Sequence, residues 1–210
     1  MRLEKTIIDR YNQETISAHR KRLQFLQNEI ADTESIIDKL VKFQVAIPSW
    51  ALGTGGTRFA RFPRGGEPRN LEEKLEDIGL LHALNNSGGA VSLHIPWDIP
   101  SDPARIRSLA AELGLRFDAM NSNTFQDQPD QPLSYKFGSL QHTDKGVRKQ
   151  AIEHNLEVMR QGVELGSESL TVWLADGSWF PGQLKGRKAF QRTLEGLQEI
   201  YAQLPEKWKM

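Results

Sequence analysis

The sequence predicts a parallel α/β fold: the N-terminal half of a (β/α)8 barrel, about four βα units over residues 44–210, behind a helical arm over residues 1–43. Three observations predict it. Short runs of β-branched and aliphatic residues recur four times after residue 43. Each is followed by a polar loop and then by an amphipathic helical pattern, and strand, crossover helix, strand in succession makes a parallel sheet with right-handed connections. The loops that follow the runs are long and rich in unusual residues, whereas those that follow the helices, such as Asn85-Asn-Ser-Gly-Gly89 and Gly114, are short and turn-like. That asymmetry places the working face at the C-terminal ends of the strands.

The arm comes first. From Leu3 to about Asn28 the chain is charged and helix-prone, with Leu3, Ile7, Ile16, Leu23, Leu26 and Ile30 as a sparse apolar stripe. A second helix is expected from Thr33, as its N-cap, to about Lys42, burying Ile36, Ile37 and Leu40. Strand one is Val45-Ala-Ile47, stopped by Pro48; after a Gly- and Arg-rich loop, Asn70 caps a helix with Leu71, Leu75, Ile78 and Leu81 on one face. Strand two is Ala90 to Leu93, stopped by Pro96, and Pro103 opens a helix with Ile106, Leu109, Ala110 and Leu113 inward. Arg116 to Met120 is strand three, followed by a helix capped by Thr143 with Ile152, Leu156, Met159 and Val163 as its stripe. Strand four is Leu170 to Leu174, and its helix carries Phe190, Leu194, Leu197 and Tyr201 at helical spacing.

Composition removes several classes of function. Lys plus Arg and Asp plus Glu both number 27, so no global field gathers nucleic acid or anionic lipid. The chain has no cysteine, hence no disulfide, thiolate metal site or Cys nucleophile, which fits a reducing, cytoplasmic setting. The N-terminus never develops the apolar core of a signal peptide, and no run approaches the ~20 apolar residues of a membrane span.

The chemistry-bearing residues gather at the strand tips. Trp50, Trp97, Trp173 and Trp179 are four of the five tryptophans, and all lie at or just beyond strand ends, which predicts an aromatic-walled pocket. Asn121-Ser-Asn-Thr-Phe125, read as the loop after strand three, supplies amides suited to sugar hydroxyls and an aromatic suited to the apolar face of a sugar ring, or else an Asn-rich turn satisfying its own backbone. Of the five histidines, His19, His82 and His154 fall on helices and read as polar-face residues, and His142 lies beside a cap. Only His94 stands at a strand tip, next to Trp97 and Asp98. Gly53-Thr-Gly-Gly-Thr57 lacks the spacing of a nucleotide loop; with Arg58, Phe59, Arg61 and Phe62 it reads as a projecting arm, a surface loop or a subunit contact, of which the aromatics favour the contact. No His-Glu-x-x-His, His-x-His or Gly-x-Ser-x-Gly pattern is present, so the motifs describe a pocket wall better than a reaction centre.

Four strand-tip motifs, in order, carry a family resemblance: Ile47 to Phe62, Val91 to Asp98, Phe117 to Phe125, and Thr171-Val-Trp173 through Phe180-Pro-Gly-Gln183. Together they closely resemble the Pseudomonas-type L-rhamnose isomerases, metal-dependent aldose-ketose isomerases on a xylose-isomerase-like (β/α)8 barrel. The resemblance implies conversion of L-rhamnose to L-rhamnulose by a hydride shift, helped by a divalent ion, often manganese, acting as a Lewis acid. It implies that Trp50, His94, Phe125 and Trp173 bind the sugar, that Phe59 is lent to the pocket of a neighbouring subunit, and that the full-length protein is a homo-oligomer, a tetramer. It also implies that the catalytic and metal-binding residues come from later strands, beyond Met210, since Leu204-Pro-Glu-Lys-Trp-Lys209 resembles the segment before the first of those strands.

A complete barrel takes ~250 residues or more. The expectation is therefore a truncated isomerase chain, inactive alone, binding no metal tightly, with open sheet edges that favour self-association. The competing expectation is a non-enzymatic α/β module that binds a sugar or a protein partner through its tryptophan-lined face.

Overall fold

The computed structural model describes residues 4–29, 32–53, 65–175, 177, 180 and 182–210. Two helices lead, α1 (Lys5–Glu29) and α2 (Thr33–Lys42). Then come β1 (Ala46–Pro48), α3 (Leu71–Asn85), β2 (Ala90–Ser92), β3 (His94–Ile95), α4 (Pro103–Glu112), β4 (Arg116–Phe117), β5 (Met120–Thr124), α5 (Lys145–Leu165), β6 (Leu170–Leu174) and α6 (Gly186–Tyr201). The strands form two three-stranded parallel groups, β1-β2-β4 and β3-β5-β6. Because β2 and β3 are two pieces of one run, as are β4 and β5, the runs lie side by side in chain order with no reversal. That is the winding of a (β/α)8 barrel rather than of a doubly wound sheet, whose strand order reverses at a switch point. After α6 the chain returns to β6, where Lys209 bridges Ser169 in parallel and accepts from the Leu170 N–H at 2.9 Å.

Local chemistry sets the helix starts. The Asn70 side chain accepts from Glu73 N at 2.9 Å, and Asp102 accepts from Arg105 N at 3.0 Å ahead of Pro103. Each satisfies one of the donors that a helix start leaves without an intrahelical partner. One core runs between sheet and helices, through Leu75, Ile78, Val91, Leu93, Ile95, Ile106, Met120 and Val158. Helix α5 packs tightly on the sheet at Gly162, where a β-carbon would come 2.7 Å from Met120 Cγ and 2.5 Å from Trp208 Cη2. Only a glycine leaves room for strand and indole together.

Several expectations need correction. The third strand does not end at Met120: Asn121, Ser122, Asn123 and Thr124 are strand residues of β5, all buried. The amide-rich stretch read as a loop pairs along its whole length with β6, so ladder pairing overrides the turn propensity of Asn. Strand β1 does stop at Pro48, which is its last residue, and among the described residues β1 pairs with β2 alone, so the missing proline N–H costs no ladder bond there. The cap of α2 is Asp32 and that of α5 is Asp144, one position from the expected threonine in each case.

The helical stripes also face differently. In α1, Ile7, Ile16 and Leu26 are exposed, and the arm is tied down by Asn12 Nδ2 donating to the Ala83 carbonyl at 2.9 Å; Leu3 and Ile30 lie outside the described residues. In α2, Ile36 and Leu40 are exposed and Ile37 is half-buried. Helix α6 buries its small side, Ala189 and Gly196, with Ile200, while Phe190, Leu194 and Tyr201 face outward. Leu81 and Val163 are likewise exposed at the edges of their stripes. The outward Phe190 shares with Leu140, Leu174 and Ala175 an apolar groove of about 390 Å³. No helix among the described residues is long and apolar enough to cross a membrane.

Candidate functional site

Register decides which side chains meet. In a parallel pair, register partners project to the same face, and residues two apart on a strand share it. His94 is opposite Asn121, Asn121 is opposite Thr171, and Asn123 is opposite Trp173. These five therefore stand on one face. Ile95, Met120, Ser122 and Val172 stand on the other, the face that α5 covers. One face of the sheet is thus apolar packing for helices, and the opposite face carries an imidazole, an indole, two amides and a hydroxyl.

At the C-terminal tips of the strands those groups gather around His94. The Trp97 ring lies 4.4 Å from the imidazole, centroid to centroid, Trp50 at 5.3 Å and edge-on, Phe125 at 5.8 Å and Trp173 at 6.0 Å. Trp50 also meets Trp173 edge-on at 6.2 Å, and Phe125 meets Trp173 at 5.7 Å. The four residues expected to line a pocket, Trp50, His94, Phe125 and Trp173, are therefore in one cluster, and Trp97 joins them. Phe59 and the projecting arm from Thr54 onward lie outside the described residues, as do Asp176 and Trp179.

Hydrogen bonds fix the aromatic walls. Trp173 Nε1 donates to Asn121 Oδ1 at 2.9 Å, and the Asn121 amide nitrogen donates to the carbonyls of Leu93 and Ala119 at 2.9 and 3.1 Å. Trp97 Nε1 donates to Gln128 Oε1 at 3.2 Å. Beneath His94 sits Asp98, 2% exposed, which accepts from the His94 backbone N–H at 2.8 Å, from Lys74 Nζ at 2.7 Å and from Ser49 Oγ. This carboxylate ties the tip of β1, helix α3 and the turn after β3 into one unit. It serves the His94 main chain and not its ring.

Among the described residues the His94 imidazole has no hydrogen-bond partner at either nitrogen, and it is 3% exposed. Burial pushes its pKa down to about 4; the Asp98 carboxylate opposes that shift, and the positive potential of His154 and Lys74 adds to it. At neutral pH the ring is uncharged, with one nitrogen able to donate and the other to accept. Burial lowers the pKa of His154 too, and its Nε2 accepts from the Asn123 N–H at 3.1 Å. His154 is therefore part of the wall behind the site, against the expectation of a polar-face residue.

Walls of aromatic carbon around neutral polar groups suit an uncharged ligand that has hydroxyls and an apolar face. The arrangement does not suit a divalent ion: no group of three His, Cys, Asp or Glu side chains able to hold a metal occurs among the described residues. Asp98 is already engaged by three donors, and the neighbours of His94 are rings. Sequence reasoning missed Lys74, Gln128 and the inward face of β5. A lysine beside the stripe of a charge-rich helix gives no warning, and the turn-like composition of Asn121 to Thr124 concealed its strand register.

No protein-family model matches the chain. It is 56% identical over 177 residues to a probable sugar isomerase of Mesorhizobium japonicum, covering 84% of this chain and 41% of that protein. It is 54% identical over 179 residues to a probable sugar isomerase of Rhizobium meliloti, covering 85% of this chain and 42% of that one. The chain is thus similar to sugar isomerases, and it spans about two-fifths of the length of these curated relatives. Among solved structures it is similar to an L-ribulose 3-epimerase, with a TM-score of 0.49 and 16% identity over 76% of this chain and 46% of that one. The parallel strand order above carries the fold assignment by itself.

Proposed function

We propose that the chain supplies the sugar-binding wall of an L-rhamnose isomerase-type aldose-ketose isomerase. The observation that carries this reading is the uncharged imidazole of His94, without a hydrogen-bond partner among the described residues and enclosed by Trp50, Trp97, Phe125 and Trp173. In it, the rings pack on the apolar face of the aldose and its methyl group, and the His94 nitrogens exchange hydrogen bonds with hydroxyls. Asn121 and Gln128 hold the indoles of Trp173 and Trp97 in place through their N–H groups. Similarity to the probable sugar isomerases supports the class of reaction. The resemblance to the L-rhamnose isomerases supports the substrate and the hydride shift. The divalent ion of that chemistry finds no matching ligand set among the described residues, so no bond-making step is assigned to them.

The test is a titration of intrinsic tryptophan fluorescence with L-rhamnose in the absence of metal. Saturable change is expected for the wild type. In Trp173→Ala the dissociation constant should rise about 10-fold or more, since a stacked aromatic contributes ~1–3 kcal/mol through burial and ring contact. A response that never saturates, or one that Trp173→Ala leaves unchanged, contradicts the proposal.

A further inference from the structure

Asn123 is 1% exposed, and its Oδ1 has no hydrogen-bond partner among the described residues. The amide orientation is set by Nδ2, which reaches the Gln126 carbonyl at 3.4 Å; a flipped amide would bring two carbonyl oxygens together. The polar side chains beside it on β5 are spent within the fold. Asn121 holds Trp173, Ser122 Oγ donates to the Thr171 carbonyl at 3.4 Å, and Thr124 Oγ1 donates to the Trp173 carbonyl. Among the described residues Asn123 is thus the β5 side chain with a buried polar atom that finds no partner. Its register partner is Trp173, so it stands on the face that carries His94.

A buried carbonyl without a donor is a cost to the folded state, and such groups call for an explanation. A sugar hydroxyl is a donor of the kind such an amide oxygen can accept. We infer that Asn123 is a specificity-determining residue whose Oδ1 accepts a hydrogen bond from one hydroxyl of a neutral aldose held against the aromatic cluster. The inference rests on the sugar-binding reading above and adds hydroxyl selection to it. Aromatic walls discriminate weakly between sugars, whereas a buried polar group left unpaired by the wrong sugar discriminates strongly.

Stability and affinity should move in opposite directions, which a purely structural role does not allow. In Asn123→Leu, which removes the partnerless acceptor at similar volume, the melting temperature should stay level or rise. The dissociation constant for L-rhamnose, read from tryptophan fluorescence, should increase about 10-fold or more. One monodeoxy analogue of L-rhamnose should bind wild type and variant equally, which identifies the hydroxyl. Asn123→Ala gives the same contrast in affinity should the leucine not be accommodated. Unchanged L-rhamnose affinity in a variant, with the wild type still binding, overturns this inference alone; so does a lowered melting temperature with the discrimination among deoxy sugars intact. Absence of any sugar binding by the wild type overturns the sugar-binding reading and this inference together.

Discussion

Replacing Asp98 by alanine is expected to destabilise the chain by about 3–5 kcal/mol, the range for breaking a buried ion pair by removing one partner. The carboxylate is almost wholly enclosed, and its partner Lys74 has a side chain only 12% exposed. Without Asp98 the ammonium is left in the same enclosure with no counter-charge, and the Ser49 hydroxyl and the His94 N–H lose their acceptor as well. Removing the other partner, in Lys74→Met, should be similarly severe, because it strands the carboxylate. The double replacement Lys74→Met with Asp98→Leu should recover part of the loss, since the two charges leave together. Urea denaturation at neutral pH measures all three, and a loss below ~1 kcal/mol for Asp98→Ala would place Asp98 among weak surface pairs instead. Because the His94 backbone hangs on this carboxylate, the aromatic cluster should loosen with it.

The second large effect is acid sensitivity centred on His94. Its pKa falls from an ordinary 6.5 in the unfolded chain to about 4 in the folded one, chiefly through burial. The unfolded chain therefore takes up a proton as pH drops through 6.5, while the folded chain resists until about 4. Stability is full above the unfolded value, declines between the two, and is flat in this respect below the lower one. At 1.36 kcal/mol per unit the difference amounts to about 3 kcal/mol. His154, lowered by burial as well, adds a decline of the same sign. Denaturation curves across this window should show His94→Phe losing about 3 kcal/mol less than the wild type, with the His154 share remaining. Equal acid sensitivity in both proteins would mean that His94 is solvated in the folded state.

Much of the fold is legible in the sequence because its signals are local. Short apolar runs alternating with helical stripes fix the parallel winding, and Asn70 ahead of Leu71 and Pro103 ahead of Ile106 mark helix starts with their own chemistry. What is not legible depends on pairing between distant residues. Asn121 to Thr124 has the composition of a turn, and only its register with Leu170 to Leu174 makes it a buried strand. The outward faces of α1, α2 and α6 follow the same logic, since periodicity shows that a stripe exists but not which neighbour covers it. The clustering of Trp50, His94, Phe125 and Trp173 was recognisable from their place at strand tips and from the family resemblance, their sugar-binding role being a proposal. The Asp98 unit was not, because Lys74 and Ser49 reach it from other βα units; nor was the spare acceptor of Asn123, which no spacing rule reveals.

Whether a neutral His94 receives a sugar is read from the ¹⁵N resonances of its ring. At neutral pH an uncharged imidazole is expected, whose nitrogen shifts move saturably on addition of L-rhamnose, with the movement lost in Trp173→Ala. An imidazolium signal at neutral pH, or ring resonances that L-rhamnose leaves in place, would contradict it.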